Sequence, residues 1–236
     1  RRALEKQVLQ SQKMAAVGLL AAGIAHEINN PLEAVGNLLY LLRAPDLNRE
    51  LRDSYLQTAE EELNRVASIA RRTLGFYREN SKPADVDVCG VVDSTLEIYR
   101  TSLVQRNITV DRAYCENALV FAREGEIRQV MSNLISNAID ALPPERGCIE
   151  VTVSRKADSL ILELSDNGEG IENVNVPHIF EPFFSTKTEF GTGLGLWVTR
   201  DLVARNGGTI AVRSSRGGEN HGTTFVIGFP AVAAPR

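Results

Sequence analysis

The sequence has few cysteines and no metal-binding pattern built from them. Cys89, Cys115 and Cys148 are widely spaced, and no CxxC pair or Cys/His cluster occurs. An odd number of isolated cysteines is typical of reduced thiols in a cytosolic protein rather than of a disulfide framework. We therefore predict three free thiols and a cytoplasmic location for this fragment.

Long apolar segments and an excess of basic residues are also missing. The longest apolar run, residues 14–25, has 12 residues, well short of the roughly 20 that a membrane-spanning helix needs. The net charge is −4 at pH 7, which argues against nucleic-acid binding because such interfaces are basic. We expect no nucleic-acid partner and no membrane segment in this fragment.

The chain begins without Met and inside a periodic pattern. We interpret it as a piece of a longer protein. An upstream sensor region, or a membrane anchor in the full-length protein, is compatible with that interpretation.

The N-terminal third has the periodicity of long helices. Residues 4–43 carry two stripes at helical spacing, one rich in small residues that includes Leu32 and Leu39, and a more apolar one that includes Val35 and Leu38. Two stripes on one helix predict contacts with more than one partner helix, and small residues allow close approach.

A second periodic segment follows a turn at residues 43–50, where Asp46 or Asn48 is the candidate N-cap. This segment runs from Leu51 to Tyr77. Two helices joined by a short loop form an antiparallel hairpin, which buries only half of its apolar surface. The sequence therefore predicts an all-α hairpin that completes a four-helix bundle as a homodimer.

The sequence changes character after "ENSKPADVDV", residues 79–88, which we interpret as a linker between domains 1–82 and 83–236. Beyond it, helix-like segments at 90–105, 124–142 and 192–206 alternate with β-rich ones. The β-rich segments are 107–114, 117–122, 148–156, 159–168, 208–214 and 222–230. Strands in adjacent pairs with helices between them predict an α/β two-layer sandwich with a mixed sheet.

Two glycine clusters indicate a nucleotide site in the second domain. "DNGEGI", residues 166–171, follows a strand-like segment, and "GTGLGLWVTRDLV", residues 191–203, runs into an amphipathic helix. Glycine lets backbone N–H groups approach phosphate oxygens, and a helix start adds its positive dipole end. Either cluster alone is equally compatible with ordinary loop glycines, whereas the ordered pair favours a nucleotide.

Two asparagines in "EIRQVMSNLISNAIDAL", residues 126–142, indicate a metal near that site. Asn133 and Asn137 are four residues apart and share one face of the predicted helix. Neutral oxygen ligands suit a hydrated Mg²⁺ that takes its other ligands from phosphates. Two solvent-facing amides on an amphipathic helix are the alternative.

Taken together, these segments resemble the sensor histidine kinases of two-component systems. "AHEINNPL" is similar to their H box, "QVMSNLISNAIDA" to the N box, "DNGEGI" to the G1 box, "IFEPFFSTK" to the F box, "GTGLGL" to the G2 box and "GTTF" to the G3-like element. All six occur in the order and spacing of the family, over nearly the whole chain. The "HEINNPL" and "PFFSTK" variants most resemble the branch that includes nitrogen- and dicarboxylate-sensing kinases.

The resemblance implies a dimerisation and histidine phosphotransfer domain followed by a catalytic domain of the Bergerat ATP-binding type. It implies ATP-dependent autophosphorylation of His26, phosphoryl transfer to an aspartate of a response-regulator receiver domain, and phosphatase activity toward that regulator. Glu27 would be the neighbouring acid/base, and Asn30 would orient water in the phosphatase reaction. The implied cofactors are ATP and Mg²⁺.

The ATP-site residues are implied in the same way. Asn133 and Asn137 would line the ATP–Mg²⁺ site, with Asn137 as the metal ligand, and Asp166 would accept the adenine amino group. The lid and phosphate loop would use Gly168, Gly170, Lys187, Gly191, Thr192, Gly193, Leu194 and Gly195. One departure is Asp140, which stands where many relatives have Lys, so Lys187 or Arg128 would compensate. The short segment between residues 171 and 191 predicts a compact lid.

The residues around His26 fit this role independently. On a helical wheel His26 lies roughly 160° from the more apolar stripe, and Asn30 is one turn further on the same face. A neutral imidazole is a competent nucleophile, and its unperturbed pKa near 6.5 leaves it mostly neutral at pH 7. Glu27 could take the departing proton. A zinc-protease "HExxH" helix is excluded because residue 30 is Asn.

Two rival functions stay open at this point. A different ATPase of the same nucleotide-binding fold, of the topoisomerase or chaperone type, would carry its catalytic Glu where this chain has Asn133. A non-enzymatic dimeric scaffold would retain the fold with a degenerate ATP site, although the complete glycine boxes argue against it. A nucleotide-binding assay beside a phosphotransfer assay separates the three.

Overall fold

The structure is a computed structural model that describes residues 28–44, 47–74, 82–186, 193–217 and 221–232. The chain divides into two compact units, Arg1–Arg78 and Glu79–Arg236. Five predicted site residues lie outside the described residues: His26, Glu27, Lys187, Gly191 and Thr192. All three cysteines are free thiols. Among the described helices, none combines the length and apolarity that a membrane crossing requires.

Two helices are described in the first unit. Helix α1 is described over residues 28–41, and α2 spans Arg49–Leu74. Asn48 caps α2, because its Oδ1 accepts a hydrogen bond from the Leu51 N–H at 2.8 Å. Asn48 is thus confirmed as one of the two predicted caps, whereas Asp46 lies outside the described residues.

The two predicted stripes of α1 differ in their exposure. Val35 of the more apolar stripe is buried and Leu38 is half-buried, whereas Leu32 and Leu39 of the small-residue stripe are 44% and 53% exposed. One stripe therefore packs inside the unit. The other leaves large apolar side chains exposed in a single chain.

The second unit is an α/β two-layer sandwich. Its helices are α3 (Val88–Ile98), α4 (Arg100–Gln105), α5 (Glu124–Ala141) and α6 (Gly195–Arg205). Its strands are β1 (Ala84–Asp87), β2 (Thr109–Tyr114), β3 (Leu119–Ala122), β4 (Cys148–Lys156), β5 (Ser159–Asp166), β6 (Thr209–Ser215) and β7 (Gly222–Pro230). Five strands form a sheet in the order β2-β4-β5-β7-β6, and β1 pairs separately with β3.

The five-stranded sheet is mixed, as predicted. Strands β2 and β4 are parallel, and the other neighbours are antiparallel. Alternate residues of β5 and β7 are buried, because a strand points successive side chains to opposite faces. The predicted buried face of α5 is confirmed in full, for Ile127, Val130, Leu134, Ile135, Ala138 and the following Leu142 are all buried. This helix and the inner face of the sheet form the core that positions the site.

The structure corrects two expectations. The predicted linker contains β1, whose Val86 is buried and pairs with Val120 of β3. The predicted helix 90–105 begins earlier, at Val88, and divides at Tyr99 into α3 and α4. The Tyr99 hydroxyl lies 2.8 Å from Ser132 Oγ on α5, a tertiary contact that anchors the chain where the two helices meet.

Candidate functional site

The two predicted asparagines of α5 differ in their contacts. Asn133 Nδ2 donates to the Gly195 carbonyl at 3.1 Å and to Thr199 Oγ1 at 3.2 Å, and Asn133 Oδ1 accepts from Gln129 Nε2 at 3.1 Å. Asn137 is half-buried, and within the described part of the chain its side chain makes no hydrogen bond. The Asn137 carboxamide is therefore available to a ligand, whereas Asn133 is held between two helices.

Asp166 lies at the end of β5 and uses one carboxylate oxygen to organise the backbone. Its Oδ1 accepts hydrogen bonds from the N–H groups of Gly168 at 2.9 Å and Thr223 at 3.3 Å. Burial raises the pKa of Asp166, and those N–H groups together with His221 oppose the rise. Among the described residues nothing donates to Oδ2, so this oxygen is available to an external N–H donor.

The glycines of the first cluster are required by close backbone approach. A Cβ on Gly168 would lie 2.7 Å from the Ala141 carbonyl oxygen, and one on Gly170 would lie 2.1 Å from the Ser215 carbonyl oxygen. Gly170 also has a φ of +72°, which favours glycine. Both residues therefore shape this loop by fitting it against α5 and β6.

The second glycine cluster opens α6 without a side-chain cap. Gly193 has a φ of +64°, and a Cβ there would lie 2.3 Å from the Phe183 carbonyl carbon. Leu194 occupies the N-cap position, and its side chain caps no N–H group. The first N–H groups of a helix have no intrahelical acceptor, so this end, with its positive dipole, suits an anion such as phosphate.

Arg128 of α5 is bound to other residues than Asn133 and Asn137. Its Nη1 donates to Ser94 Oγ at 2.7 Å, and its Nη2 binds the Glu124 carboxylate. It lies nine residues before Asn137, which is about 14 Å of helix rise. Arg128 is thus the wrong choice to compensate for Asp140, which is itself exposed on α5.

Two site residues escaped the sequence reasoning. Thr199 is fully buried on α6 and bonds both Asn133 and Gly195. Thr223 of β7 is buried and supplies an N–H group to Asp166. The available signal was a hydroxyl on the apolar face of an amphipathic helix or strand, because buried polar groups are normally hydrogen-bonded.

Family models match most of the chain. Residues 16–82 match the His Kinase A (phospho-acceptor) domain. Residues 122–233 match the family described as histidine kinase-, DNA gyrase B-, and HSP90-like ATPase. The second match includes Asn133, Asn137, Asp166 and α6, so the geometry described above lies within it.

Relatives and solved structures are similar over long stretches. Sporulation kinase B of Bacillus subtilis is 30% identical over 231 residues, which are 97% of this chain and 53% of that protein. The chain spans about half the length of the curated relatives it matches, or less.

Two solved structures show the same architecture. The catalytic domain of histidine kinase ThkA is 28% identical, with a TM-score of 0.57 over 64% of this chain and 96% of that one. ThkA in complex with response regulator protein TrrA is 23% identical, with a TM-score of 0.73 over 97% of this chain and 66% of that one, and shows the fold. The helical region, the ATPase-type sandwich and the matched family models together establish that the chain belongs to the sensor histidine kinases of two-component systems.

Proposed function

We propose that this chain is a kinase core that uses ATP to phosphorylate His26, passes the phosphoryl group to an aspartate of a response-regulator receiver domain, and dephosphorylates that regulator. The observation that carries the proposal is the hydrogen bond between Asn133 Nδ2 and the Gly195 carbonyl. This bond brings the asparagine face of α5 to the uncapped start of α6 in a chain that also matches a phospho-acceptor domain.

The residues present fit an ATP–Mg²⁺ complex. ATP supplies the phosphoryl group for transfer, and Mg²⁺ neutralises phosphate charge. The Asn137 carboxamide, which makes no side-chain hydrogen bond to any described residue, offers an oxygen of the kind that Mg²⁺ binds. The first N–H groups of α6 would bind phosphate oxygens, and Asp166 Oδ2 would accept the adenine amino group. Lys187, Gly191 and Thr192 would complete the phosphate loop.

The H-box residues would divide the two activities between them. The neutral His26 imidazole would attack the γ-phosphoryl group as its bond to the leaving ADP breaks, and Glu27 would take the proton that leaves the ring. Asn30 is exposed on α1, so its carboxamide is accessible to a water molecule. That water would serve dephosphorylation of the docked regulator, since autophosphorylation uses the imidazole itself.

Partner and location follow from the same assignment. A similar kinase, ThkA, has been solved in complex with a response regulator, which supports a receiver domain as the partner here. The small-residue stripe of α1, whose Leu32 and Leu39 are exposed, supports a homodimer. We propose that the core acts in the cytoplasm, behind an upstream sensor region that is anchored in a membrane.

A phosphotransfer assay with radiolabelled ATP tests the proposal. The wild-type chain should acquire an acid-labile, base-stable phosphoryl label. His26→Gln should acquire none while binding nucleotide as the wild type does. ATP hydrolysis without such a label would identify a different ATPase of this fold, and nucleotide binding with neither reaction would identify a scaffold.

A further inference from the structure

Thr199 carries a buried hydroxyl at the contact between α5 and α6. Its side chain is 0% exposed, and its Oγ1 lies 2.8 Å from the Gly195 carbonyl oxygen and 3.2 Å from Asn133 Nδ2. A carbonyl can only accept hydrogen bonds, so the hydroxyl donates to Gly195 and accepts from Asn133. The hydroxyl therefore links the first residue of α6 to the asparagine of α5.

These contacts fix the orientation of the Asn133 carboxamide. The group that faces the Gly195 carbonyl must be the amide nitrogen, because an amide oxygen there would meet another acceptor. The nitrogen has two hydrogens, and Thr199 accepts the second one. Asn133 Oδ1 is consequently turned toward Gln129, which donates to it at 3.1 Å. Since an amide oxygen has two lone pairs, Oδ1 retains one acceptor position.

We propose that Thr199 is a positioning residue that holds Asn133 Oδ1 in place for Mg²⁺–nucleotide binding. The inference rests on the proposed function, because it assigns an ATP–Mg²⁺ complex to the asparagine face of α5. Without the hydroxyl, the Asn133 nitrogen keeps one acceptor, the Gly195 carbonyl, instead of two, and the carboxamide is held less firmly. Loss of a residue that hydrogen-bonds and orients a metal ligand typically weakens metal affinity about 10–100-fold.

Thr95 of α3 provides a matched control. It is also 0% exposed, and its Oγ1 donates to the carbonyl four residues earlier, that of Val91, at 2.7 Å. Thr199 makes the same bond to Gly195 four residues earlier. Among the described residues only Thr199 of this pair also contacts Asn133, so Thr95→Val removes an equivalent helix hydroxyl without touching the asparagine.

The experiment measures the affinity of the whole chain for a non-hydrolysable ATP analogue by calorimetry, with saturating Mg²⁺ and with a chelator. Thr199→Val should bind the analogue about tenfold more weakly in Mg²⁺. It should change binding in chelator by less than about twofold. Thr199→Ser keeps the hydroxyl and should restore Mg²⁺-dependent affinity. Thr95→Val should match the wild type in both conditions.

The outcomes separate this inference from the proposed function. If the wild type shows no Mg²⁺-dependent binding, the proposed function is overturned. If the wild type binds and Thr199→Val binds equally well, or loses affinity equally with and without Mg²⁺, the positioning role is overturned. Should Thr199→Val not melt cooperatively, Thr199→Ala decides, because it removes the hydroxyl without placing a methyl group beside the Asn133 nitrogen. It should show the same Mg²⁺-specific loss.

Discussion

Asn133 and Asn137 have the same side chain, one helical turn apart, but among the described residues only Asn133 has hydrogen-bond partners for its side chain. Asn137→Ala should abolish autophosphorylation and weaken Mg²⁺-dependent nucleotide binding by about tenfold or more, because it removes an oxygen that no other described residue uses. Its melting temperature should stay at the wild-type value. Calorimetric titration and thermal unfolding measure the two effects.

Asn133→Ala is the comparison for the thermal unfolding measurement only, because Asn133 Oδ1 is itself proposed to act in Mg²⁺–nucleotide binding. It breaks contacts with Gln129, Gly195 and the buried Thr199, and this loss should lower stability by about 1–3 kcal/mol. Unchanged Mg²⁺-dependent turnover in Asn137→Ala would remove Asn137 from the metal site.

Asp166 affects the stability of the fold and has a proposed role in recognition of adenine. Burial raises its pKa in the folded chain, so the folded state holds the proton more tightly than the unfolded state does. The ionised carboxylate therefore destabilises the fold at neutral pH. This loss disappears as pH falls through the raised pKa toward the ordinary value of about 3.9, where both states become protonated.

Asp166→Asn should melt at a higher temperature than the wild type at pH 7, with a difference that shrinks as the pH is lowered. It should bind nucleotide about tenfold or more weakly. The reason is that the Asn oxygen must stay on the Gly168 and Thr223 N–H groups, which puts an amide NH₂ against the adenine amino group. Melting curves between pH 7 and the ordinary aspartate pKa test the sign. A difference that does not vary with pH would contradict the burial argument.

At the scale of elements, the loop after β5 depends on its contact with the end of β6. Gly170 and Gly217 both have positive φ, of +72° and +82°, but only a Cβ on Gly170 meets backbone, at 2.1 Å from the Ser215 oxygen. Gly217→Ala should lose about 1–2 kcal/mol from the backbone conformation alone. Gly170→Ala should lose a further 1–3 kcal/mol, roughly, from the clash.

Thermal unfolding of the two variants measures that difference. The glycine at residue 217 serves as the matched control, because a Cβ there meets nothing within 4 Å. Equal losses for Gly170→Ala and Gly217→Ala would show that the loop does not press against β6.

The local sequence pattern was sufficient to predict helices and strands whose buried residues recur at regular spacing. The bounds of β4 and β7 were predicted to the residue. Every residue predicted for the buried face of α5 is buried, although Met131 and Ile139 of that face were missed. Alternation along a strand and helical spacing both indicate directly which side of an element is buried. Strand β1 was missed since its four residues carry a single buried side chain, Val86. The break between α3 and α4 at Tyr99 was missed. Tyr99 contacts Ser132, 33 residues away, and a local sequence pattern carries no information about such a contact.

The candidate site, like the fold, was predictable only where local sequence patterns carry the information. Motif spacing predicted Asn137, Asp166 and the glycine loops as site residues. Among the described residues, the Asn137 side chain and Asp166 Oδ2 have no hydrogen-bond partner, and the glycine loops make close backbone contacts. Thr199 was missed because its role comes from packing of α6 on α5, across 66 residues of sequence. Arg128 was a wrong choice for the same reason, since its partner Ser94 belongs to α3.

At the scale of the whole molecule, the exposed stripe of α1 predicts self-association. Leu39 of that stripe is 53% exposed in the single chain, and Leu39→Glu places a charge there. In a symmetric dimer the substitution occurs twice, which would double its effect. We expect the wild type to be a dimer at micromolar concentration. Leu39→Glu should dissociate with a Kd raised by at least about tenfold, because burying an unpaired charge is unfavourable.

Light scattering across a dilution series measures this shift. Val104→Glu is the control, as it replaces a 68% exposed apolar residue on α4 in the second unit. It should leave the dimer intact. A wild-type monomer at micromolar concentration, or equal dissociation of both variants, would contradict the assignment of the interface to α1.

The two activities assigned to the H box should respond to substitution in opposite directions. Asn30→Ala should keep autophosphorylation within a few fold and cut phosphatase activity by about tenfold or more, the effect of one positioning hydrogen bond. Glu27→Ala should instead slow autophosphorylation more than dephosphorylation. Parallel assays of labelled kinase and labelled regulator measure the ratio, and proportional losses in both variants would refute the division of labour.

The position of β7 has a consequence for how the second unit is made. This strand is the last of the unit in chain order, yet it lies inside the sheet between β5 and β6. A ribosome that has delivered residues only as far as Ser215 has therefore produced β5 with an unpaired edge, and Asp166 without the Thr223 N–H group. Such an edge invites pairing with other nascent chains. Completion of the sheet, and with it of the proposed nucleotide site, therefore waits until residues 222–230 leave the exit tunnel.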